Sequence, residues 1–434
     1  KKKKKTLVTN IYGTNNGVLQ RSNYANGDAI RYTYAKSGLV AAIYHDNNQE
    51  STSPAFTWEY SSNGTPRNHT DNKNGYKYNY SYDSIGRLIR TDISDKTSSA
   101  HVGSTEYGYD IRNNLTSITN DIGGVAYTQL YSYGPTSAPN SAENAKDNLP
   151  TSYIFLGQRV DYAYDDLNRL TGRTLQFTNT TTQQSYTIPT TYTYNDAPCR
   201  SGCTTNQLAT ETLAGTEYSY SYDVPGNITK ILKNGNAYRQ YSYDKLNQLT
   251  QETINGSTVN EWTYDGIGNI TLKTTTAGST KTGIRYNYGA DSNCGWENLL
   301  TSVQYLEYNG SNEAVTKTET IDYDAIGNPI TYRGATLSWY GRQLKSFTKN
   351  GITSTMTYDA DGLRSTKTIG TAKTEYQYIG DKLFYEKRGD GNSFYYFYDS
   401  YGKLSAIYHY VNGTKVPYHV VTNAQGDVVA LYNW

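Results

Sequence analysis

Sulfur and imidazole are scarce in this sequence, with 3 Cys, 1 Met and 5 His in 434 residues. The His are scattered, so no zinc-type ligand set can be assembled and no metal site is expected. His-Glu-x-x-His, a Walker loop and a Gly-x-Ser-x-Gly elbow are all missing, and with them the common catalytic constellations. His409 and His419 have no nucleophile or carboxylate at recognisable spacing and read as surface residues. No apolar run approaches the roughly 18 residues of a membrane helix. Mean hydropathy is −0.75, and no helical periodicity stands out. Net charge is +1, and five of the cations are Lys1 to Lys5. The remainder has 35 basic against 39 acidic side chains, a net of −4, which argues against nucleic-acid binding. The lysine run is either a membrane or wall contact or a solvated end. Cys199 and Cys203 either close a small disulfide loop or are free thiols in an insertion, with Cys294 apart from both. No cofactor is implied.

What the chain does contain is tyrosine, 47 of them. Low hydropathy alone leans toward disorder, but abundant aromatics and near-zero charge argue for a folded chain. The tyrosines come in a phrase. Tyr80-Ser81-Tyr82-Asp83-Ser84-Ile85-Gly86-Arg87-Leu88 is the cleanest copy. Tyr164-Asp165, Tyr222-Asp223 with Gly226, Tyr243-Asp244, and Tyr264-Asp265 with Gly268 repeat it. So do Tyr323-Asp324 with Gly327, Tyr358-Asp359, and Tyr398-Asp399 with Gly402. The second aromatic falls every 21 residues at Tyr222, Tyr243 and Tyr264, and every 20 at Tyr358, Tyr378 and Tyr398. Degenerate copies extend the array from Tyr32 to Tyr398. Such a period implies stacked units, each too small to bury its own apolar face.

Tyr-x-Tyr places two rings on one face of a strand, because side chains alternate. Asp-x-x-Gly reads as a tight turn, with Asp accepting backbone N–H groups and Gly taking φ > 0. Parity predicts a type I turn closed by a one-residue glycine bulge, with Asp83 opposite Arg87 and Tyr82 opposite Leu88. Gly86, Gly226, Gly268 and Gly402 are then left-handed. Gly86→Val is expected to cost about 1–2 kcal/mol, while Thr105→Ala, outside the phrase, is expected to change little. The tyrosine hydroxyls suggest a partly wet face. The repeated Asp is a turn residue throughout, and no enzyme activity is expected of this segment.

The phrase Tyr-x-Tyr-Asp-x-x-Gly-Arg-Leu resembles the YD repeat of the Rhs family. That family takes in bacterial Rhs and wall-associated polymorphic toxins, the C component of insecticidal toxin complexes, and the teneurins. The segment Tyr418-His419-Val420-Val421-Thr422-Asn423-Ala424-Gln425-Gly426-Asp427 resembles the opening of the Rhs-associated core. The resemblance implies an all-β fold, a continuous spiral of antiparallel β-hairpins forming part of a hollow shell. It implies three regions: residues 1–30 as a tail or fragment end, 31–405 as the spiral, and 406–434 as the start of the core. Loop insertions are expected near 134–150 and 289–299. The implied function is a non-catalytic structural shell of a secreted or wall-associated toxin. Its partner would be the protein's own C-terminal effector, outside this chain. In the family the core ends in an Asp-Pro-x-Gly motif linked to autoproteolysis, and no Asp-Pro dipeptide occurs here. The alternative is a surface module whose tyrosine faces grip cell-wall glycan or a target-cell surface.

Overall fold

The computed structural model describes residues 6–14, 16–134, 148–179, 182–196, 204–291, 293, 296–411 and 413–433. Cys199, Cys203, Cys294, Lys1 to Lys5 and most of the 134–150 insertion lie outside them. Among the described residues 36 strands and no helix are found. They form two antiparallel sheets, one of 25 strands and one of 11, and neither closes into a barrel. Pairing is sequential: each strand bonds to the one before it and the one after it. The first sheet runs from Val8 to Thr320 and the second from Thr331 to Asn433. Pairing therefore starts at Val8, inside the stretch expected as a tail, and continues without change of pattern through 406–433. The break between sheets falls at one copy of the phrase, where only the isolated bridge Tyr323–Pro329 forms.

The hairpin register follows from the turn. Asp83 N–H donates to Arg87 O at 3.0 Å, Gly86 N–H to Asp83 O at 3.1 Å, and Tyr82 pairs with Leu88. One step further the register slips, so that Ser81 pairs with Arg90 and Ile89 is extra. The same slip recurs after Tyr164, Tyr222, Tyr243, Tyr264, Tyr358 and Tyr398. A bulge of this kind strengthens local twist. Repeated once per hairpin, it suits a sheet that must wind rather than lie flat.

The second sheet lies over the first, and the two run in the same order. Tyr340 Oη donates to Ala29 O at 2.6 Å. Asn74 Nδ2 reaches Ser365 Oγ at 3.0 Å, and Tyr395 Oη reaches Ile122 O at 2.9 Å. Phe397 packs on Phe155, and His419 on Phe177. Ala424 N–H meets Glu211 Oε2 at 3.1 Å. The main core lies in this seam, where Tyr127, Tyr153, Phe155, Val160 and Leu175 meet Phe384, Phe397 and Tyr408. His419 is fully buried there rather than exposed, because it packs against Phe177 in a run, His419 to Thr422, that is buried on both faces of its strand. His409 is half-buried, stacked on Phe394 at 4.4 Å.

Candidate functional site

The repeat itself is the unit from which any site must be built. In each copy the Asp carboxylate caps its own turn. Asp83 Oδ1 accepts from Ile85 and Arg87 N–H groups at 3.0 and 2.9 Å, and Oδ2 accepts from Arg87 Nε at 2.6 Å. The Arg87 N–H is the main cause holding that carboxyl below its usual range. Asp165 repeats the arrangement with Arg169. Asp223, Asp265 and Asp324 repeat it with Asn227, Asn269 and Asn328. Arg and Asn thus alternate at one position because both can donate to the second carboxylate oxygen. Asp244 caps through the backbone of Leu246 and Gln248, and Asp359 through that of Asp361 and Leu363. Gly86, Gly226, Gly268, Gly327 and Gly402 have φ of 86°, 99°, 93°, 82° and 70°. Asn113, Asn168 and Asn247 occupy the same left-handed position in other copies, as a short polar side chain can.

The second tyrosine has a separate task. Its hydroxyl donates to the carbonyl that opens the return strand of the preceding hairpin. Tyr109 reaches Leu88 O at 2.9 Å, Tyr194 reaches Leu170 O at 2.7 Å, and Tyr243 reaches Ile228 O at 2.9 Å. Tyr264, Tyr358, Tyr378 and Tyr398 do the same at 2.7 to 3.0 Å. The acceptor sits beside the bulge, where the regular ladder is interrupted. The hydroxyl therefore serves a neighbouring hairpin and not a wet cavity. Sequence reading missed this, because Tyr in the phrase signals a ring but does not reveal its acceptor one repeat earlier.

Side chains of the Tyr-x-Tyr rows project onto one face of the first sheet, and the second sheet covers part of it. The turn ends of the second sheet sit on that face. Asp399, almost fully buried, lies 3.4 Å from Arg173, which pairs across strands with Tyr162. Tyr164 and Tyr401 hydroxyls meet. Asp359 lies over Tyr76, Tyr78 and Tyr80 in a cavity of about 230 Å³. Burial pushes its carboxyl up to about 6, helped by Asp361. A second cavity of about 210 Å³ lies between Tyr131, Phe384 and Asp399. The covered part of the face is thus packed, with room for small ligands only.

Three buried polar groups, two of them ionisable, escaped the sequence reading because they lie outside the phrase. Asp46, fully buried, meets Arg21 at 2.6 Å and Arg31 at 3.2 Å and accepts from Ser51 N–H. Burial opposes its charge, but the Ser51 N–H and the two guanidiniums outweigh that and hold its carboxyl low. Glu211 accepts from Tyr220 Oη and the Ala424 N–H, and burial raises its pKa. Thr105 donates to Asn120 Oδ1 at 2.8 Å, both side chains buried. Thr105 is therefore no neutral control. Among the described residues no group of three or more His, Cys, Asp or Glu converges as metal ligands, and no helix is long and apolar enough to cross a membrane.

No family model matches the chain. It is 36% identical over 120 residues to the tRNA3(Ser)-specific nuclease WapA of Bacillus spizizenii, a match covering 26% of this chain and 5% of that protein. In fold it is similar to the TcdB2-TccC3-TEV crystal structure, with a TM-score of 0.56 at 15% identity over 98% of this chain and 23% of the other. It is also similar to TcdB2-TccC3-Cdc42, with a TM-score of 0.50 at 14% identity over 98% and 27%. The chain thus spans a twentieth of the curated relative and about a quarter of the solved ones. Its two sheets of consecutive hairpins are the Rhs/YD shell fold seen in the toxin-complex chains.

Proposed function

We propose that this chain is a wall segment of a secreted Rhs/YD-repeat toxin and that its tyrosine face is the inner surface enclosing an effector supplied by the rest of the protein. The observation that carries the reading is the asymmetry of the sheet. Turn carboxylates, left-handed glycines and bridging hydroxyls are spent on building the wall, which accounts for the repeated residues without recourse to catalysis. Tyr80, Tyr82, Asp83, Gly86, Arg87 and their counterparts are structural in this reading. The shell fold and the weak WapA similarity support it.

The test is protease protection in the full-length native protein. The C-terminal domain is expected to resist digestion while the shell is intact and to be cut rapidly when expressed alone. Equal rates of cleavage in the two contexts would overturn enclosure. A second reading, glycan binding, is favoured by the half-buried Trp262 on the uncovered face, since aromatic rings stack on sugars. Lys273 lies 5.6 Å from that ring's centroid and would have to move aside. Lack of retention on peptidoglycan or glucan resin removes this reading.

A further inference from the structure

In six copies of the phrase the residue four beyond the Asp donates a side-chain N–H to the second carboxylate oxygen: Arg87, Asn114, Arg169, Asn227, Asn269 and Asn328. The turn at Asp359 breaks this pattern. Its counterpart, Leu363, gives only a backbone N–H to Oδ1, and among the described residues nothing donates to Asp359 Oδ2. Asp399 also lacks a donor of its own turn, since Lys403 Nζ reaches Asn423 O instead. There the first sheet supplies a cation: Arg173, the register partner of Tyr162, lies 3.4 Å from the Asp399 carboxylate. At the Asp359 junction the same register position, opposite Tyr80, is held by Thr91, which is short and uncharged. Burial, with no cation to offset it, raises the Asp359 carboxyl.

The cavity of about 230 Å³ at this junction is lined by three carboxylates, Asp71, Asp359 and Asp361, and by no Lys or Arg. Asp71 is committed to its own turn through Lys73 and Asn74. Arg364 stays with the Tyr376 ring, 4.7 Å from its centroid, and forms no ion pair with Asp359. His69 lines the cavity as well. Its ring is stacked between Trp58 and Tyr78, at 4.9 and 5.2 Å, so only the ring edge remains for hydrogen bonding. His69 is 7% exposed, and its Nε2 has no partner among the described residues. Gln377, also on the wall, has a buried Oε1 without a donor. The rings of Tyr76, Tyr78 and Tyr80 complete the site, and a cation is attracted to such faces. Among the described residues the acidic groups and His69 do not converge as metal ligands, so the fit is to an organic cation rather than a bare ion. At roughly 30 Å³ per water, the volume suits a guest of about six to eight heavy atoms.

We propose that this cavity binds an alkylammonium group from outside the chain, its nitrogen held by Asp359 Oδ2 in the role that Arg173 performs beside Asp399. The tyrosine rings pack on the alkyl stem, and Asp361, which is exposed, draws the cation toward the opening. The shared chemistry is an ammonium on a short apolar stem, whether of a free amine or of a lysine side chain.

Calorimetric titration of the 434-residue chain with putrescine at pH 7.5 and low salt tests it. Saturable binding at one site is expected, with a Kd of about 1 mM or tighter. 1,4-Butanediol, of the same size and uncharged, is expected not to bind. Asp359→Asn keeps the turn's acceptor and removes the charge, and it is expected to weaken binding at least about tenfold. Thr91→Arg supplies the cation from within, as Arg173 does, and is expected to abolish binding. Glu307→Gln, at an exposed carboxylate outside the cavity, is expected to leave binding unchanged. A parallel titration with Nα-acetyl-lysine amide separates the sources: tighter binding than putrescine assigns the ammonium to a peptide side chain, weaker binding assigns it to a free amine, and either supports the site. No saturable binding of either amine, equal binding of the diol, or binding that survives both Asp359→Asn and Thr91→Arg overturns it.

Discussion

The strands from Pro150 to Leu213 and those from Thr216 to Thr320 carry the same phrase and the same once-per-hairpin slip, yet their rings end in different surroundings. In the first stretch Tyr153, Val160 and Leu175 face one another across neighbouring strands and are almost fully buried under the second sheet. In the second stretch the corresponding rows read Tyr241, Glu252, Asn260, Thr275 and Trp262, Lys273, Ile284. The phrase specifies the hairpin and its joint to the preceding one. The positions between the phrases decide whether another layer packs on top.

Removing a ring from the layer that covers the first stretch, and one from the open second stretch, tests that division most strongly. Phe397→Ala empties a fully buried site against Phe155, Tyr127 and Tyr408 and is expected to cost about 3–5 kcal/mol. Trp262→Ala, on the open face, is expected to cost about 1 kcal/mol, since it loses partial burial only. Denaturant melts followed by hydrogen exchange would read both. Equal losses would mean that the open face is as tightly covered in solution as the seam.

Thr105→Ala comes next, at about 1–3 kcal/mol, because it leaves the buried Asn120 carbonyl without its donor. This reverses what the sequence alone suggested, and the reason is instructive. The fold class, the hairpin register and the turn roles of Asp83, Gly86 and Gly226 were legible because local geometry repeats them many times. Thr105, Asp46, Glu211 and His419 occur once each. Their burial depends on which strand lies over them, and that is set by how far the spiral has wound when the second sheet arrives.

The seam also titrates in a way the open stretch should not. Burial depresses His45 to about 4, with Lys73 beside it adding to the effect, while burial raises Asp359 to about 6. For His45 the folded value lies below the unfolded one, so its contribution is present above about pH 6.5 and is lost as pH falls toward 4. Asp359 has the opposite sign: its contribution is present below about pH 4 and is lost as pH rises through 6. Asp359→Asn keeps an acceptor for the Asp361 and Leu363 N–H groups and removes the charge. It is expected to stabilise the seam at pH 7.5 by about 1 kcal/mol, a figure discounted for partial exposure, and to be near neutral at pH 4. Pulse proteolysis at the two pH values would show it, and the reverse order would contradict the assigned burial.

The smallest effect bears on what the two stretches share. Tyr243 in the open stretch and Tyr398 in the second sheet each donate to a preceding hairpin's carbonyl, Ile228 O and Leu383 O, both at 2.9 Å. Replacing either by Phe keeps the ring and deletes one hydrogen bond, at about 0.5–1.5 kcal/mol. If the bridge belongs to the hairpin joint alone, Tyr243→Phe and Tyr398→Phe should cost the same, although one site lies under no second layer and the other lies in the seam. A larger loss at Tyr398 would mean that desolvation in the seam strengthens the bridge. A negligible loss at Tyr243 would mean that water replaces it on the open face. In either case the hydroxyl would track the covering layer. Equal losses would make it part of the repeat's own mechanism for passing register from one hairpin to the next.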